Sequence, residues 1–100
     1  MAASADLAAL RIEDFSALLD ADFEMQAGTA TLPVKLAKVD PAGNSGRPGG
    51  AFSLIFVAAK GPLLPQAIYP VSHPALGNIE MFLVPLGPAH GGNAYQAVFT

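Results

Sequence analysis

The chain has 100 residues, 52% of them apolar and only 13% charged, with a net charge of −3. That is one domain with material for a single core, and well below the roughly 25% charge of ordinary soluble domains. There is no Cys, which excludes disulfides, thiolate metal sites and Cys nucleophiles, and the five basic residues are scattered, which excludes a nucleic-acid footprint.

Such sparse charge leaves apolar or small-residue surface exposed. Burial against a protein partner, or self-association, is one expectation; a small protein that dissolves adequately is the other. No stretch approaches the ~20 apolar residues of a membrane-spanning helix. MAASADLAAL has no basic start and carries Asp6, so it is a poor secretory signal. A cytoplasmic location, or assembly into a particle or fibre, is the expectation.

Residues 1–11 are predicted to be a tail and residues 12–100 a single β-rich domain. Ile12, Phe15, Leu18 and Leu19 form an apolar stripe at helical spacing, with Glu13 and Asp14 in the first turn. This predicts a short helix over residues 12–19, plugging one end of a barrel or covering a sheet. The acids Glu13, Asp14, Asp20, Asp22 and Glu24 could suggest a divalent cation, but they lack the central Gly and terminal Glu of a calcium loop. A solvated acidic face is expected instead.

Residues 22–26 alternate, with Phe23 and Met25 inward, and Gly28 supplies a turn. Residues 31–39 form the second strand, with Leu32, Val34 and Leu36 inward and a bulge between Leu36 and Val39. Asp40–Gly50, DPAGNSGRPGG, is a mobile loop, from whose tip Arg47 could contact a partner. It lacks the GK[ST] ending of a phosphate-binding loop.

Residues 51–57, AFSLIFV, form the central strand. Phe52, Leu54 and Phe56 share one face, and Ser53, Ile55 and Val57 the other. QAIYPVS over residues 66–72 is a strand whose Pro70 implies an edge or a bulge. IEMFLVPL over residues 79–86 places Ile79, Met81 and Leu83 on one side and Phe82 and Val84 on the other. Gly87–Gly92 is a turn, and AYQAVF over residues 94–99 closes the chain, with Tyr95, Ala97 and Phe99 alternating against Gln96 and Val98.

The fold expected is mainly β: a small antiparallel β-barrel or sandwich of about six strands with one short N-terminal helix. Chemistry is sparse. His73 and His90 lack a third metal ligand nearby in sequence. A Ser-His-Asp set drawn from Ser53 or Ser72, His73 or His90, and Asp40 has no nucleophile elbow behind it. Neither catalysis nor a cofactor is expected.

Phe52-Ser53-Leu54 with Phe56, Gln66 with Tyr69, His73-Pro74 with Leu76-Gly77, Phe82-Leu83-Val84-Pro85, and Tyr95 with Ala97-Val98-Phe99 follow one another in order. That succession resembles a family of small bacterial proteins, the domain of unknown function numbered 6916, over about half the chain. Gln96 stands where the family often has Glu, so no carboxylate is required there. The resemblance implies a compact β-rich domain without assigned activity, in the company of phage-tail-like or fibre proteins. On a structural reading of these motifs, Gly77 supplies positive φ, Pro74 and Pro85 fix corners, and Tyr69, Phe82 and Phe99 fill the core.

Two functions are carried forward. One is a non-enzymatic structural or protein-interaction module. The other is a small-ligand-binding barrel with Gln66, Tyr69, His73 and Tyr95 around its mouth, although a six-stranded barrel is usually filled by its own side chains.

Overall fold

The computed structural model describes residues 12–41, 51–59, 64–89 and 91–99. The N-terminal tail, residues 42–50 of the Gly/Pro-rich loop with Arg47, and His90 lie outside them, while Asp40 and Pro41, expected in that loop, end the second strand. Helix α1 (Ile12–Ser16) precedes strands β1 (Asp22–Ala27), β2 (Ala30–Pro41), β3 (Phe52–Ala58), β4 (Ala67–His73), β5 (Gly77–Ala89) and β6 (Gly92–Phe99). The strands close into an antiparallel barrel in the order β1-β2-β3-β6-β5-β4. Of the two β architectures expected, the barrel is the one formed.

Alternation determines the interior. β3 is buried at Phe52, Leu54, Phe56 and Ala58 and half-buried at Ser53, Ile55 and Val57. It lies between β2 and β6, as a strand with two largely apolar faces should. Phe23 and Met25 of β1, Val34 and Leu36 of β2, Val71 of β4, Ile79, Met81 and Leu83 of β5, and Tyr95, Ala97 and Phe99 of β6 complete one continuous core. Leu32 is only partly buried and packs against it.

The helix plugs the end of the barrel where β3 begins and β6 ends. Phe15 is fully buried, with its ring 5.6 Å from Phe52 and 5.8 Å from Phe99, and those two rings stack on each other at 4.7 Å. The regular helix ends at Ser16 rather than at residue 19, because the following residues turn back into the sheet. Asp20 takes a φ of 69°, in the left-handed region that Asp tolerates better than most residues, and its N–H donates to the Leu36 carbonyl. The Leu36 N–H in turn donates to Ala21. The register of β2 against β3 then shifts between Leu36 and Lys38, at the expected bulge.

At the opposite end, β3 and β4 lie three places apart around the barrel. Leu64, just before β4, packs on the core, and its N–H donates to the Tyr95 hydroxyl at 2.9 Å.

Several expectations about β4 and β5 need correction. Phe82 is not in the core: it is 53% exposed, because it shares its face with the charged Glu80 and projects outward. Residues 87–89 belong to β5 rather than to a turn, and Pro85 sits inside the strand rather than at a corner. The register there shifts between Pro85 and Gly87, leaving Leu86 as the extra residue of a bulge. Pro70 marks no free edge strand, but it does lie where the ladder is incomplete. β4 pairs with β5 from Ala67 to His73, yet meets β1 only at Glu24↔Ser72 and Met25↔Val71.

Candidate interaction surface

His73 ends β4 on the inward parity of that strand and lays its ring against Phe23 at 4.9 Å. Its Nδ1 accepts the Ala75 N–H at 3.0 Å, while its carbonyl accepts the Leu76 N–H. Gly77 follows with a φ of 77°, which completes a tight corner. With Nδ1 acting as an acceptor, the neutral ring carries its proton on Nε2. A catalytic triad needs the reverse: an Nδ1–H donated to a carboxylate.

Tyr95 and Tyr69 serve the other end of the barrel. Tyr95 is fully buried, and its hydroxyl accepts from Leu64. Tyr69 is half-buried and donates its hydroxyl to the Pro65 carbonyl at 2.6 Å. Two tyrosines thus pin one short segment, and the exposed Gln66 adjoins it. Of the residues expected around one mouth, Gln66, Tyr69 and Tyr95 are brought to a common end. His73 lies at the other end of β4, about 13 Å further along the strand.

Ser53 pairs with Asp40 across β3 and β2, and Ser72 with Asn78 across β4 and β5. Neither pairing brings a serine to the His73 ring. Among the described residues, no group of three or more His, Asp or Glu side chains could hold a metal ion, and no helix is long and apolar enough to cross a membrane.

The outer wall of the barrel has two unlike halves. Around α1, β1 and β2 lie Glu13, Asp14, Asp20, Asp22, Glu24, Lys35, Lys38 and Asp40, which are all the described charged residues except Glu80. Lys38 and Asp40, two apart and therefore on one face of β2, form an exposed ion pair at 3.3 Å. The other half carries apolar side chains in water: Ile68 on β4 (62% exposed), Phe82 (53%) and Leu86 (47%) on β5, and Val98 on β6 (52%).

The register places these side chains together. Ile68 lies directly across from Phe82, and Val84 lies across from Gln96. Two residues along both strands from the latter pair come Phe82 and Val98. On the far side of β6, Gln96 faces Ile55 and Val98 faces Ser53, so the uncharged surface continues onto β3.

Sequence reasoning missed this wall, although one signal for it was present. Glu80 has the parity of Phe82 and Val84, and a lone carboxylate on one face of a strand points that face to solvent. No curated protein and no solved structure matches the chain. The family model described as Domain of unknown function (DUF6916) matches residues 10–99, nearly the whole chain, including every strand and the helix of the barrel. The chain belongs to the DUF6916 family.

Proposed function

We propose that this chain is a non-enzymatic protein-interaction module: a barrel with a continuous apolar core that presents the outer wall of β4, β5 and β6 to a protein partner. The observation that carries this reading is the alignment of Ile68, Phe82 and Val98, each more than half exposed, on adjacent strands. Scattered exposed apolar residues are ordinary. An aligned set with its charged residues displaced to the opposite wall is the pattern of a surface meant to be covered.

The polar groups favoured from sequence serve the fold. The Tyr69 and Tyr95 hydroxyls and His73 Nδ1 are each engaged by backbone of a neighbouring segment. The setting we propose is a larger assembly of the tail-like or fibre kind. Its support is the family resemblance read from the sequence.

The test is a paired capture from an extract of the native host, with partners identified by mass spectrometry. The wild-type chain is compared with Phe82→Lys and with Thr31→Lys, the latter on the charged wall. Partners held by the wild type and by Thr31→Lys but lost from Phe82→Lys are the expected result. Identical recovery by all three, or none by any, would overturn the reading.

A further inference from the structure

We draw no further inference here: the strongest candidate, the edge of β4 at Ala67–Tyr69 beyond the last residue pair it makes with β1, is cut short by Pro70, which has no N–H for a ladder, and nothing in the structure shows what covers it.

Discussion

Phe56 and Phe82 are the same residue type on strands of one barrel, yet they do opposite work. Phe56 is closed off from solvent and packs edge-on to Phe23 at 5.2 Å, whereas Phe82 is half in water. Phe56→Ala is therefore expected to cost about 3–5 kcal/mol in urea denaturation, through lost burial and the cavity left behind. A loss under about 1 kcal/mol would mean that β3 faces the other way. Gly92 is fixed by a different constraint: a Cβ there would collide with the Ala58 carbonyl oxygen and come within 2.9 Å of Val57 Cγ1. Gly92→Ala should destabilise by about 1–3 kcal/mol, the usual cost of overpacking, with the same denaturation as readout. An unchanged midpoint would show that the β5–β6 hairpin can shift away from β3. The facing of Phe52, Leu54 and Phe56 was legible because the opposite face of β3 carries Ser53. The crowding at Gly92 was not, since it depends on where β3 and β6 end relative to each other.

At the scale of elements, the barrel has a helix plug at one end, a hydroxyl that anchors Leu64 at the other, and one thin seam. Tyr95→Phe keeps the ring but leaves the Leu64 N–H without its acceptor. The expected cost is about 1–3 kcal/mol, with faster hydrogen exchange at the Leu64 amide. Exchange at that amide unchanged from the wild type would mean that the hydroxyl does not hold Leu64 in place. The β1–β4 seam consists of two residue pairs, against the unbroken run from Phe52↔Phe99 to Ala58↔Asn93 between β3 and β6. Native-state exchange is expected to show β1 and β4 opening at lower free energy than β3 and β6, because few backbone bonds must break. Equal protection along all four strands would contradict this. Strand order along the chain was enough to read the hairpins and the helix over an end, since neighbouring alternating segments pair and Phe15 lies on an apolar stripe. It could not give closure: the contact of β1 with β4 joins residues nearly fifty positions apart, and nothing local in either strand encodes it.

For the whole molecule, the low charge read from composition becomes a division of labour around the barrel. Carboxylates and lysines gather on α1, β1 and β2, while β4, β5 and β6 keep large apolar side chains outward. Composition required that some apolar surface stay in water. Only the closed sheet decides that it lies on one wall, because closure turns separate outward positions into neighbours. The residues singled out for chemistry, Gln66, Tyr69, His73 and Tyr95, were legible as a group of polar and aromatic side chains near turns. What could not be read was that hydrogen bonds to Leu64, Pro65 and Ala75 occupy three of them.

The core belongs to the inner face of the barrel, where Phe56 is closed off from solvent, and Phe82 stands on the outer wall. The urea midpoint of Phe82→Lys beside that of Phe56→Ala tests this facing most directly. The expected result is a Phe82→Lys midpoint close to that of the wild type, with the Phe56→Ala midpoint well below both. A Phe82→Lys midpoint that falls as far as that of Phe56→Ala would place Phe82 in the core and contradict the account.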